Sequence, residues 1–89
     1  MDLTDLRNQI DEIDKELVSL FVRRMAIAAQ VAEYKRVNNL PIKVPAREEE
    51  ILQKLSKIAG TEMESYVRGL YTEIFELSRA YQNMKNTNT

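Results

Sequence analysis

The sequence contains no cysteine and no histidine. Without cysteine the chain forms no disulfide and offers no thiolate nucleophile, and without histidine it lacks the usual general base near neutral pH. Zinc sites of the usual kind are excluded for the same reason. At 89 residues the chain has room for one domain, residues 1–89, which buries too little surface to be comfortably stable alone. We therefore expect association with a second chain to supply the missing stability.

Long apolar runs and a large excess of one charge are missing as well. No stretch approaches the ~20 apolar residues of a transmembrane helix, and residues 1–5 are acidic and do not resemble a secretion signal. Thirteen basic residues against fourteen acidic ones leave a net charge of −1, which argues against a general nucleic-acid binder. We expect a cytoplasmic protein that binds neither membranes nor nucleic acids.

The longest predicted element is a first helix that lacks glycine and proline. Its apolar residues recur every three or four positions with one gap, at Leu3, Leu6, Ile10, Ile13, Leu17, Leu20, Ile27, Val31 and Tyr34. A helix of more than 30 residues is roughly 50 Å long, whereas a lone globule of this size is only about 25–30 Å across. The helix therefore projects beyond any monomeric core, and its apolar seam predicts an intertwined homodimer.

Two shorter helices are predicted to follow a loop that contains both prolines. Pro45 favours the first turn of a second helix, which Gly60 ends. A capping-box pattern at residues 61–64 opens a third helix of medium length, and residues 85–89 are expected to fray. The predicted fold class is all-α, with one very long, one short and one medium helix.

Polar side chains interrupt the apolar faces of all three helices. Arg24 fills the gap in the first seam, and Lys35, eleven residues later, lies within about 20° of the same face. The intruding residues of the second and third helices are Arg47, Glu48, Ser78 and Gln82. Each one alone has a structural explanation, such as an ion pair or an interhelical hydrogen bond. Together they favour a polar cavity for a small molecule with more than one carboxylate, because a purely structural bundle avoids so many inward polar groups.

Arg7 lies too far along the first helix to join this cavity within its own chain. Seventeen residues separate it from Arg24, which is roughly 25 Å along the helix axis. In an antiparallel dimer, however, the start of one long helix lies beside the middle of the other, so Arg7 enters the partner's cavity. The sequence offers no nucleophile–base pair, metal set or phosphate loop, which leaves catalysis by orientation and fixed electrostatics.

In sequence the chain resembles the all-helical (AroQ-class) chorismate mutases over nearly its whole length. The matching pattern is Leu6-Arg7 with Ile10, Ile13, Asp14 and Leu17, followed in order by Arg24, Lys35, Arg47-Glu48, Ser78 and Gln82. This resemblance implies the Claisen rearrangement of chorismate to prephenate in phenylalanine and tyrosine biosynthesis. It implies a pericyclic step with no covalent enzyme intermediate, no cofactor and no metal.

The resemblance also implies roles for the residues nearest the reacting bond. Arg24 and the partner's Arg7 would hold the two substrate carboxylates. Lys35 and Gln82 would hydrogen-bond the ether oxygen, where negative charge builds as the carbon–oxygen bond breaks. Gln82 is neutral, so its contribution requires no protonation.

The remaining implied contacts surround the substrate's ring hydroxyl and a carboxylate. Glu48 would hold the hydroxyl, Arg47 would orient the substrate or neighbouring carboxylates, and Ser78 would support a carboxylate. Val44 departs from the family pattern, since some members carry an aspartate at this loop edge. The hydroxyl contact would then fall to Glu48 alone.

Two other functions fit parts of the pattern. An isochorismate-pyruvate lyase on the same scaffold would share Arg7, Arg24, Lys35 and Gln82, although Glu48 and Ser78 favour the mutase. A non-catalytic helical dimerisation module would use Arg24 and Glu48 as a structural buried pair. In that module, replacing Arg24 by leucine would stabilise the dimer and remove no activity.

Overall fold

The computed structural model describes residues 1–87, and these form three α-helices and no strand. Helix α1 is Leu3–Val37, α2 is Pro45–Ala59 and α3 is Glu64–Thr87. At 1.5 Å per residue their lengths are about 52, 22 and 36 Å. The predicted all-α class, with one very long, one short and one medium helix, is confirmed.

Local sequence explains where α1 begins and ends. The Asp2 carboxylate accepts the Asp5 backbone N–H at 2.9 Å, and the Asp5 carboxylate accepts the Asp2 backbone N–H, which closes a capping box. At the other end Asn39 has a φ of 54°, a left-handed conformation that asparagine tolerates. The Leu40 N–H then donates to the Lys35 carbonyl at 2.8 Å. The asparagine pair therefore ends the helix as predicted.

Helix α2 has the predicted bounds, whereas α3 differs from the prediction at its start. Pro45 begins α2, and Gly60 follows it with a φ of 86°. Residues 61–63 form a turn held by backbone N–H groups that donate to the Gly60 carbonyl, so among the described residues the predicted capping box does not begin α3. The helix continues through Thr87, and the expected fraying of residues 85–89 stays a prediction. Residues 88 and 89 lie outside the described part of the chain.

Helix α3 packs against both α1 and α2, while α1 and α2 do not pack against each other. The molecule measures 54 × 28 × 14 Å, and its shortest dimension is about the thickness of one helix. Its radius of gyration is 16.1 Å, against about 12 Å for a compact chain of this length. The chain is therefore one layer of helices, whereas a stable domain ordinarily has two.

The apolar core of this layer is small. The buried apolar residues among those described are Ala28, Ala32 and Phe75. The first half of the α1 seam is exposed, with Leu6, Ile10, Ile13, Leu17 and Leu20 all between 43% and 55% accessible. The total accessible surface is 6966 Å², about 1,600 Å² more than the ~5,400 Å² expected of a compact 10.4 kDa monomer. Within residues 1–87, this half of the seam is therefore left largely uncovered.

The apolar stripe of α3 is also partly exposed. Leu70, Leu77 and Met84 remain accessible, and the buried face is instead formed by Phe75, Ser78 and Gln82. Two of these three buried residues are polar, so the inward face of α3 is the face that carries hydrogen-bonding groups.

Within residues 1–87, no helix has both the length and the apolar content that a bilayer span requires.

Candidate active site

A cavity of about 300 Å³ lies between the second half of α1, the loop, the start of α2 and α3. Six of the seven candidate residues line it: Arg24, Lys35, Arg47, Glu48, Ser78 and Gln82. Its apolar wall comes mainly from aliphatic side chains and one ring: Ile27, Ala28, Val31, Ile42, Val44, Ile51 and Phe75. The structure therefore brings together residues that lie up to 58 positions apart in the sequence.

Arg24 reaches the cavity from the middle of α1. Its guanidinium carbon lies 5.8 Å from the ring centre of Tyr71 and 5.8 Å from that of Phe75, both on α3. Two aromatic rings stabilise a cation without neutralising it. The guanidinium makes no ion pair with a described carboxylate, so its charge stays available to an anion in the cavity.

Lys35 lies in the last turn of α1 and holds the loop against it. Its Nζ donates to the Ile42 carbonyl at 2.9 Å. An ammonium group has three donors, so two remain for other acceptors. The contact fixes the lysine side chain and the loop at the edge of the cavity together.

Gln82 is 7% accessible and is oriented by a hydrogen bond between helices. Its Nε2 donates to the Ala28 carbonyl of α1 at 3.0 Å. The amide nitrogen carries a second hydrogen, which is available as a donor into the cavity. Ser78, one turn earlier on α3, is buried beside it.

Glu48 pairs with Arg79, which is not one of the seven candidate residues. The Arg79 Nη1 donates to Glu48 Oε2, linking α3 to the first turn of α2. The structural pair between Arg24 and Glu48 considered above is therefore absent among the described residues. Arg47 lines the cavity too, but its Nη1 pairs with Glu50 at 2.6 Å on an exposed face of α2.

Helical spacing could have identified Arg79. It follows Phe75 by four residues and precedes Gln82 by three, so it belongs to the buried face of α3.

Arg7 is the one candidate that lies outside the cavity. It is exposed on the second turn of α1, roughly 25 Å along the axis from Arg24. The separation predicted from the sequence is therefore present, and Arg7 does not reach the cavity of its own chain.

The cavity is strongly cationic. Arg24, Lys35, Arg47 and Arg79 line it with Glu48 as its single carboxylate. Such a surface suits an anion with more than one carboxylate, held by fixed donors rather than by a metal. Residues 1–87 contain no cluster of side chains suited to holding a metal ion.

Outside the cavity, the Arg36 guanidinium hydrogen-bonds Glu33 and lowers the pKa of that exposed carboxyl below its ordinary value.

Parts of the chain are similar in sequence to known proteins. A chorismate mutase/prephenate dehydratase of Aquifex aeolicus is 42% identical over 57 residues, 64% of this chain and 16% of that protein. The T-protein of Haemophilus influenzae is 45% identical over 51 residues, 57% of this chain and 14% of that protein. A chorismate mutase of Methanocaldococcus jannaschii is 38% identical over 56 residues, 63% of this chain and 57% of that protein.

The match is therefore to one part of these relatives. The chain spans about a sixth of the length of the first two and just over half of the third. No solved structure shows significant similarity to the chain. The family model described as chorismate mutase type II matches residues 6–83, which include all seven candidate residues. Because that match covers most of the 89 residues, this chain belongs to the chorismate mutase type II family.

Proposed function

We propose that this chain catalyses the rearrangement of chorismate to prephenate, in the biosynthesis of phenylalanine and tyrosine. The observation that carries the proposal is the gathering of six candidate residues around one cationic cavity of about 300 Å³. That volume is at the lower end for pockets that bind small molecules. Family membership supports the same reaction.

Catalysis would come from orientation and fixed charge. The cations would hold the two carboxylates so that the enolpyruvyl group lies over the ring, which converts a rare conformer into the bound one. As the carbon–oxygen bond breaks, negative charge develops on the ether oxygen. Lys35 and Gln82 each retain a free donor for that oxygen, and both are held by hydrogen bonds to α1 or the loop. Donors already in position stabilise the transition state without reorganising.

The other contacts would fix the rest of the substrate. Arg24 would bind a carboxylate, because its guanidinium lies against two rings and has no carboxylate partner in the described chain. Glu48 would accept the hydrogen bond of the ring hydroxyl, and Ser78 would support a carboxylate. Arg47 pairs with Glu50 here, so its part in orienting the substrate requires it to turn from that exposed pair.

We propose further that the functional unit is a homodimer in which each chain contributes Arg7 to its partner's cavity. The exposed α1 seam, the single layer of helices and about 1,600 Å² of excess surface support this assembly. The excess per chain is in the range that obligate dimers bury. The cytoplasmic location expected from the sequence stays a prediction.

The experiment is an assay of the purified protein on chorismate, with isochorismate tested in parallel. We expect chorismate to be consumed and prephenate to form, with no pyruvate from isochorismate. Pyruvate release from isochorismate without prephenate would instead establish the lyase. A folded dimer inactive on both substrates would refute the proposal and favour the dimerisation module.

A further inference from the structure

The ion pair between Arg79 and Glu48 differs from the other ion pairs of the described chain in its burial. The Arg79 and Glu48 side chains are 21% and 23% accessible, whereas the members of the other pairs are 40% to 76% accessible. It is also the pair that lies at the cavity, where both residues form part of the wall. An ion pair in that place constrains a side chain that faces the ligand.

The pair leaves one oxygen of Glu48 free. Arg79 donates to Oε2, and no described residue hydrogen-bonds Oε1. Glu48 is the single carboxylate of the cavity, and Val44, one turn before it, supplies only an apolar side chain. A hydrogen bond from a substrate hydroxyl to this carboxylate therefore depends on how the Glu48 side chain is oriented.

We propose that Arg79 is a positioning residue that holds Glu48 with its free oxygen directed to the ring hydroxyl of the substrate. This inference rests on the proposed function. A glutamate has three rotatable side-chain bonds, and binding that must first order them loses affinity. The planar guanidinium, anchored on α3, orders the carboxylate before the substrate arrives.

The position of this contact determines which kinetic constant depends on it. The ring hydroxyl is not part of the bond that breaks, so its hydrogen bond is as strong in the bound substrate as in the transition state. Losing such uniform binding raises KM and leaves kcat nearly unchanged. Ordering one such side chain corresponds to a change of up to about tenfold in affinity.

The test compares Arg79→Leu with Arg68→Leu on chorismate. Arg68 is the matched control, because it also links α3 to α2, through Glu49 at 3.6 Å, but lies outside the cavity. We expect Arg79→Leu to raise KM about tenfold with kcat within about threefold of the unsubstituted protein. Arg68→Leu should leave both constants unchanged, and Arg79→Lys should recover part of the affinity.

Two further measurements separate positioning from a structural role. In a Glu48→Gln background, Arg79→Leu should add little to KM, since both changes act on one contact. In the Glu48→Gln background, where no uncompensated carboxylate is left, a dicarboxylate inhibitor that lacks the ring hydroxyl should bind nearly as well without Arg79 as with it. Where Arg79→Leu does not form the dimer, Arg79→Gln replaces it with the same expected rise in KM.

Several results would overturn the inference. They are an unchanged KM, a fall in kcat alone, additive effects with Glu48→Gln, or much weaker binding of the inhibitor that lacks the hydroxyl when Arg79 is replaced in the Glu48→Gln background. If the unsubstituted protein does not convert chorismate, the proposed function itself fails, and this inference fails with it. The two failures are distinguishable, because the unsubstituted protein still converts chorismate when only the inference about Arg79 fails.

Discussion

Mixing two variants of strongly reduced activity tests whether the cavity is shared between chains. Arg7→Ala removes the residue proposed to act in the partner's cavity, and Arg24→Ala removes one that acts in its own. In a mixed dimer, the cavity of the Arg7→Ala chain keeps its own Arg24 and receives an intact Arg7. The other cavity lacks both arginines. One of the two sites is therefore complete.

The size of the recovery follows from symmetry. Removing one arginine from a desolvated carboxylate contact costs about 2–5 kcal/mol, so each variant alone should lose 30-fold or more in kcat/KM, by rough estimate. Random mixing makes about half of the dimers mixed, each with one complete site. The mixture should therefore recover about a quarter of the unsubstituted activity.

The assay is co-refolding of the two variants from guanidinium chloride, with the mixed dimer verified by mass spectrometry through an affinity tag on one variant. A matched control mixes Arg24→Ala with Lys35→Ala, which both act in the cavity of their own chain. That control should show no recovery, because every site in its mixed dimer lacks one residue. A verified mixed dimer of the Arg7 and Arg24 variants with no recovered activity would refute the exchange of Arg7.

Leu17→Glu should raise the dimer dissociation constant by about a hundredfold or more, because Leu17 is 54% exposed in one chain and its burial in the dimer would desolvate the carboxylate. Analytical ultracentrifugation measures this dissociation constant, with Lys15→Glu as the control at an exposed position. An unchanged dissociation constant would contradict a dimer interface along the α1 seam. Lys35→Ala should lower kcat about 10²- to 10³-fold in a folded dimer, and wild-type turnover would refute its role. Gly60→Ala should destabilise by about 1–3 kcal/mol in thermal unfolding, because φ is 86° there, while Gly69→Ala in α3 should stabilise by about 1 kcal/mol.

Much of the fold could be predicted because the signals are local. The asparagine pair that ends α1, the proline that begins α2 and Gly60 that follows it act through their own backbone geometry. The capping box at the start of α3 was predicted wrongly, because the Gly60 carbonyl accepts the first N–H groups there. The capping preferences of residues 61–64 did not reveal that the Gly60 carbonyl would accept these hydrogen bonds.

The sequence alone determined the three helices, the excess length of α1 and the periodic positions at which polar residues interrupt apolar faces. Those features depend on helical geometry, which repeats every 3.6 residues whatever the chain packs against. Only the tertiary structure decided that Glu48 pairs with Arg79, whereas Arg47 and Glu50 pair as neighbours three residues apart on one helix. Which cation reaches a carboxylate depends on how α2 and α3 pack, and residues 31 positions apart carry no local signal of that contact.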